Sequence, residues 1–503
     1  MFEVILFSVV QAIIFFFLIR RSVEAAKTIE NTEQYLYAHS DHDGGLNSRT
    51  SALTAIATNF QTASVLFVGI YFGYTYGITI LWTAATFAGG IVLLRLYIQK
   101  LSQTDKSSVL EHTELPYDRL FGTASSKKSN LLISLIYISI LFSAVLEIWF
   151  GSSLVSGIAT PIIDQSGLSN TPEGLALGVT AITLASLLFV YVFLGGYRAV
   201  ALTDEIQYKL IWTMLVMLLL GVIIQISTAE SFQFSKLFLG SGAIEADPFS
   251  YVALLIGVFF LNFFWQFVDP QQWQRARASD DSTTYSRSLT QAALWTFFTW
   301  AVPIIAGATL AGASVDESLA ATASTPFVAI YTFIGESALG GAIAASIVAV
   351  AAAGIIAAAV SSADTAVMAA LAKLASIQNL DKDLDETRKK GVLITMMACI
   401  VAAIIYNLEP KVENAIFAVY SAVVMFAGPF MYFVRTGGKA VVKNNNSANS
   451  MAISFVIFLV SAFIINFVPW FGDNVPYASF LLPAVSVFYG IVMAKSSWLV
   501  VKG

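Results

Sequence analysis

Long stretches of this chain pass without a charge, and they recur from one end to the other. A helical apolar run of roughly 18 residues or more matches the hydrocarbon thickness of a bilayer, where every backbone amide must find its partner within protein. By hydropathy and periodicity we read about thirteen such spans. They cover residues 2–19, 52–73, 77–98, 130–158, 173–194, 200–226, 250–270, 290–313, 341–372, 391–408, 412–434, 450–470 and 477–499. Such a chain can fold only as an all-α polytopic membrane protein, one bundle and not a string of soluble domains. Its composition, 57% hydrophobic and 12% charged, agrees.

Charge placement sets the expected orientation. With the N-terminus outside, every one of the 27 lysines and arginines except Lys209, Lys236 and Lys411 falls in or beside an inward loop, as the positive-inside rule requires. The expected location is the plasma membrane, a bacterial inner membrane, with the C-terminus cytoplasmic. The first run, Val4 to Ile19, is long for a signal peptide, and Arg20–Arg21 follows it instead of preceding it, so we read a retained span. Cys399 lies inside a span, which excludes a disulfide framework, and His39, His42 and His112 fall in polar loops. The chain carries no nucleophile–base constellation and no phosphate loop, so neither an enzyme nor a nucleic-acid partner is expected.

Function concentrates in Gly354 to Ala370, an alanine-rich run that holds Ser361, Ser362, Asp364 and Thr365 within five residues. If the helix reaches the cytoplasmic edge at Lys373, Asp364 lies roughly 13 Å inside and Ser361 roughly 18 Å inside. An ionisable group at that depth faces a cavity, an ion or a partner. Helical geometry puts Ala358, Ser361 and Thr365 on one face, a small-residue surface with clustered oxygens suited to a hard cation such as Na+.

Two spans are interrupted. The second holds Thr58-Asn59-Phe60-Gln61-Thr62-Ala63-Ser64; the seventh holds Asn262, Trp265 and Gln266 and ends in Asp269-Pro270. They occupy matching places in two five-helix sets, 52–226 and 250–434, the arrangement expected of a transporter with inverted repeats. Residues 2–19 and 450–499 are expected to lie outside that core. Asn444-Asn445-Asn446 reads as a flexible link, Lys382 to Lys390 as a solvated connector, and Gly428-Pro429 as a bend.

Three motifs, in order, carry a resemblance. They are Gly195-Gly196-Tyr197-Arg198-Ala199-Val200 with Thr203-Asp204-Glu205-Ile206-Gln207; Gln274-Arg275 with Ala278 and Asp280-Asp281; and Ala358-Ala359-Val360-Ser361-Ser362-Ala363-Asp364-Thr365. With the span pattern, the chain resembles the sodium/solute symporter family, the relatives of bacterial proline, sialic acid and sugar symporters. The resemblance implies a leucine-transporter-like core of five plus five helices and sodium-coupled uptake of a small polar solute by alternating access, in a protein functional as a monomer. It implies a main sodium site at Ala57, Phe60, Ala358, Ser361 and Ser362. A second sodium or a proton site would fall at Asp204, Asp364 and Thr365, where an acidic residue replaces the hydroxyl of some relatives.

Substrate contacts are expected at Asn59, Gln61, Ser64, Trp265 and Gln266. Glu147 would either counter a cationic group on the substrate or pair inside the bundle. Together with the aromatics Phe263, Phe264 and Phe267, these residues favour a nitrogenous solute such as an amino acid, betaine-like amine or urea-like compound. The alternatives are proton coupling on the same fold, or a solute sensor, which would be expected to carry a signalling domain.

Overall fold

The computed structural model describes residues 1–38, 45–104, 116–121, 127–316, 323–335, 338–378, 383–408, 412–475, 477–496 and 498–501; the three histidines lie outside them. The helices that matter here run as follows: α1 Phe2–Ala26, α2 Ser48–Asn59, α3 Val68–Tyr76, α4 Trp82–Thr104, α5 Lys127–Ser166, α6 Pro172–Val190, α7 Gly196–Thr228, α8 Pro248–Val268, α9 Pro270–Ala278, α10 Ser282–Gly312, α11 Thr325–Ile334, α12 Ala338–Gln378, α13 Leu384–Leu408, α14 Val412–Val424, α15 Ala427–Arg435, α16 Asn445–Phe467 and α17 Tyr477–Lys495. Two short strands, β1 Ala440–Val442 and β2 Leu499–Val501, pair antiparallel with Val441 opposite Val500.

Among the described residues, eleven helical segments are long and apolar enough to cross a membrane. Two of them, Thr62–Lys100 and Pro172–Thr228, each absorb a pair of the spans read from sequence, because the chain turns through tight helical geometry. Gly77 and Gly196 supply the positive φ values, 68° and 50°, that those turns need.

The centre of the bundle is α12. Every residue from Ala351 to Ala369 is buried, packed on α5 and α7 with α1 laid along its flank. Alanine makes this possible: small side chains let helix backbones approach, the main source of helix association where lipid is as apolar as the interface. The same device joins α3 to α10. A Cβ on Gly73 would lie 2.0 Å from the Ile304 carbonyl oxygen, and one on Gly307 would lie 1.9 Å from that of Ile70. α1 instead buries only Gln11, Leu18, Ser22 and Ala25, and Gln11 Nε2 donates to the Ala349 carbonyl at 2.6 Å.

Both interrupted spans are broken helices. The first stops at Asn59, passes through extended Phe60 and Gln61 (ψ 79° and 131°), and resumes as a wide π-turn over Thr62–Phe67. The second stops at Val268, breaks at Asp269, and restarts at Pro270, where a missing amide costs nothing. A third interruption falls at Met425–Phe426, between α14 and α15. Pro429 cannot donate to the carbonyl four residues back, so the bend lies one turn before the proline.

Two loop expectations are corrected. Asn444 is an N-cap, its Oδ1 accepting from the Ser447 amide at 2.9 Å, so the asparagines start α16 instead of forming a link. Most of the connector expected at Lys382–Lys390 is the first turns of α13, capped by Asp383 through the Glu386 amide at 3.0 Å and braced by Lys390–Glu386 at 3.4 Å; Lys382 is outside the described residues.

Candidate ion and solute site

The first break frees main-chain groups deep in the bundle, and each described contact there has an evident cause. The Thr62 and Ala63 amides donate to the Glu147 carboxylate at 2.6 and 3.2 Å. On the other side of the break the Ser362 hydroxyl donates to the Thr58 carbonyl at 2.9 Å, and the Trp300 indole to the Asn59 carbonyl at 2.9 Å. The Phe60 amide is shared between the Ile56 and Ala57 carbonyls at 3.1 and 3.2 Å. Lipid could satisfy none of these groups, so side chains from α5, α10 and α12 do. Glu147 is therefore engaged inside the bundle, the second of the two roles its sequence position allowed.

Ala57 and Phe60 on one side and Ala358, Ser361 and Ser362 on the other are all buried, and α2 and α12 meet where Ser362 touches Thr58. Thr58 Oγ1 also lies 3.3 Å from Thr365 Oγ1. Towards the basic side of the protein, Ser361 donates to Asp204 Oδ1 at 2.6 Å. Thr365 donates to the Ser361 carbonyl at 2.9 Å and lies 3.3 Å from Asp364 Oδ1. Among the described residues, Asp204 Oδ2, Asp364 Oδ2, the Tyr191 hydroxyl, both amide atoms of Gln207 and both terminal nitrogens of Arg275 have no hydrogen-bond partner. All these residues are fully buried. Asp204, Asp364 and Thr365 thus form one contiguous polar layer with Ser361.

This donor set is carbonyl, hydroxyl and carboxylate oxygen. Among the described residues no three His, Cys, Asp or Glu side chains gather as a metal cluster. Oxygen ligands without imidazole or thiolate fit a hard cation.

Beside the break lies a cavity of about 40 Å³. Asn59, Gln61, Ser64 and Trp265, four of the residues read as substrate contacts, line it, and Ser64 donates to Gln61 Oε1 at 2.6 Å. Its aromatic walls are two stacked or tilted pairs, Phe87–Trp300 at 4.1 Å and Trp265–Tyr420 at 4.6 Å between centroids. Gln266 does not line the cavity: it is fully buried behind it and accepts from Gln272 Nε2 at 2.6 Å. Nor does Glu147. The carboxylate that does is Asp269, at the second break, which caps Gln271 at 2.9 Å. Sequence reasoning marked Asp269 only as a helix end; its place opposite the first break was the signal to use. Phe263 and Phe264 stack with Phe259 and Phe260 instead of facing this cavity.

Apart from Asp204, the first and second motifs serve the architecture around the site. Gly196 takes a positive φ against the Tyr35 ring, and the Tyr35 hydroxyl donates to the Val192 carbonyl. Gln274 Nε2 reaches the Leu36 carbonyl at 2.9 Å, and Arg277 stacks 3.5 Å over Tyr37. Glu205 pairs with Lys209 at 3.6 Å as the i,i+4 spacing predicts, and also with Arg49 at 3.8 Å.

No protein-family model and no curated protein matches the chain. Solved structures do. A Na+-coupled sialic acid symporter in a substrate-bound, outward-open state aligns over 97% of this chain and 98% of its own, at 15% identity and a TM-score of 0.64. MhsT in complex with L-phenylalanine covers 88% of this chain and 99% of its own, at 14% identity and TM-score 0.50. A variant of the Eremococcus coleocola manganese transporter covers 89% and 94%, at 16% identity and TM-score 0.50. The broken helices, the all-helical bundle and this end-to-end alignment lead to one conclusion: the chain is a polytopic membrane protein with the leucine-transporter-like fold of the sodium-coupled sialic acid symporter that it resembles.

Proposed function

We propose that the protein is a sodium-coupled symporter that carries a small polar, nitrogenous solute into the cell by alternating access. The observation that carries this reading is the meeting of the paired hydroxyls on α12 with the open end of α2, at Ser362 and Thr58. Sodium would bind the carbonyls near Ala57 and Phe60 together with Ala358, Ser361 and Ser362, tying the broken helix to α12. Such an ion shifts the conformational equilibrium only as far as it binds one state better than another. A tenfold gradient supplies about 1.4 kcal/mol and 100 mV about 2.3 kcal/mol per charge, enough to concentrate a solute several hundredfold.

Aromatic pairs together with Asn59, Gln61, Asn262 and Asp269 around the cavity suit a molecule with an amino or quaternary ammonium group. A cavity of about 40 Å³ has room for about one water, so it must widen to admit such a solute, as alternating access demands. The likeness to a sodium-coupled symporter and to a complex with L-phenylalanine supports the class of cargo. The buried pair Asp204 and Asp364 favours a second reading, proton coupling on the same fold. Replacing external sodium by choline at fixed pH in proteoliposomes separates the two. Uptake should collapse; unchanged uptake overturns sodium coupling.

A further inference from the structure

On the side of the protein where basic residues gather, α4, α15 and α17 enclose a cavity of about 500 Å³. Its shape follows from one contact. α15 and α17 touch backbone to backbone at two glycines: a Cβ on Gly428 would lie 2.2 Å from the Gly490 carbonyl carbon, and one on Gly490 would lie 1.9 Å from the Met425 oxygen. Past that point the helices run on for about two turns and about one and a half turns before ending at Arg435 and Lys495, and α4 closes the third side of the wedge.

The walls are chemically divided. Leu96, Met431 and Ile491 form apolar sides, while Lys100, Arg435 and Lys495 stand at the mouth; among the described residues no carboxylate lines the cavity. Leu96 is 53% exposed, and the neighbouring Val92 and Val492 are 43% and 65% exposed, so the wedge is continuous with the surface the bundle turns to lipid. Cations at helix C-termini complement the dipole, but that requirement needs no cavity and no apolar floor shared by three helices.

We propose that this wedge binds one anionic phospholipid of the inner leaflet, its phosphate held by Arg435 and Lys495 with Lys100 beside them, its acyl chains against Leu96 and Met431. Basic pockets between helix ends on the cytoplasmic side recognise such headgroups, and a compound with an anionic head and apolar tails is the only membrane component that satisfies both walls. Bound there, it would brace α15 immediately below the interruption at Met425–Phe426.

Native mass spectrometry of the full-length protein in detergent tests this, with phosphatidylglycerol and phosphatidylcholine of identical chains added in parallel. One phosphatidylglycerol should be retained and phosphatidylcholine lost. The double substitution Arg435→Gln/Lys495→Gln should weaken retention by roughly thirtyfold. Lys439→Gln/Lys443→Gln, which removes two exposed cations outside the wedge, should leave it unchanged. Met431→Trp, which fills the wedge with every charge in place, should abolish it. Equal retention of both lipids by the unaltered protein overturns the proposal, and that comparison needs no variant to fold. So does full retention by Arg435→Gln/Lys495→Gln, or displacement by millimolar inorganic phosphate, which would make this an anion site without a lipid.

Discussion

At the scale of single residues, the two hydroxyls side by side on α12 divide their work. Ser362 meets the open end of α2 and Ser361 meets Asp204. We expect Ser362→Ala to raise the sodium concentration for half-maximal uptake by about tenfold, consistent with one lost oxygen ligand worth about 1.4 kcal/mol, with membrane abundance unchanged. Ser361→Ala should also weaken sodium activation, and equal losses of activation and abundance would show that the hydroxyl serves packing. Glu147 makes a different prediction. Its carboxylate holds two main-chain amides, so Glu147→Ala should lower stability by about 1–3 kcal/mol in thermal unfolding, and Glu147→Gln, which keeps an acceptor, by less. A change in substrate charge preference with unaltered melting would instead place Glu147 at the substrate. Asp269→Asn is the better probe of charge recognition, because Asp269 lines the cavity.

Elements show which parts of the design are legible in a linear sequence. Both broken helices could be read directly, since Thr58 to Ser64 and Asp269-Pro270 interrupt apolar spans with groups that lipid cannot satisfy. Asp364 was legible for the same reason, and Asp204 only through the resemblance of its motif. What answers the break was legible only in part: the resemblance set Ser362 against it, whereas Glu147 and Trp300 reach it from two other helices, 85 and 241 residues away along the chain, and no periodicity encodes such meetings. Asn444 and Asp383 were misread because a polar cluster looks alike as a linker and as a helix cap until its neighbours are placed. Close helix approach was likewise hidden. Gly73 and Gly307 look ordinary in sequence, yet each sits against the other helix's main chain. Gly307→Ala should push α10 off α3 and lower stability by about 1–3 kcal/mol, read as a reduced melting temperature; an unchanged melting temperature would mean that the two helices can part freely.

For the molecule as a whole, sodium should behave as a folding ligand of one conformational family. In sodium chloride the melting temperature should exceed that in choline chloride, by an amount equivalent to about 2.7 kcal/mol when sodium is at ~100 times its dissociation constant. Loss of that difference in Ser362→Ala would locate the effect at the break, and its persistence would assign it elsewhere. One arrangement shapes how such binding can be used. The free amides at Thr62 and Ala63 are moored to a carboxylate on α5, whereas the carbonyls at Thr58 and Asn59 are moored to α12 and α10. The two stumps of the broken helix share α10 as a packing partner, but α5 holds the free amides of one and α12 a carbonyl of the other, so neither can tilt without dragging a full-length neighbour. If sodium binds at the seam as proposed, its pull would spread through long levers, and a contact a few ångströms across would swing a vestibule open on one side of the membrane while shutting it on the other.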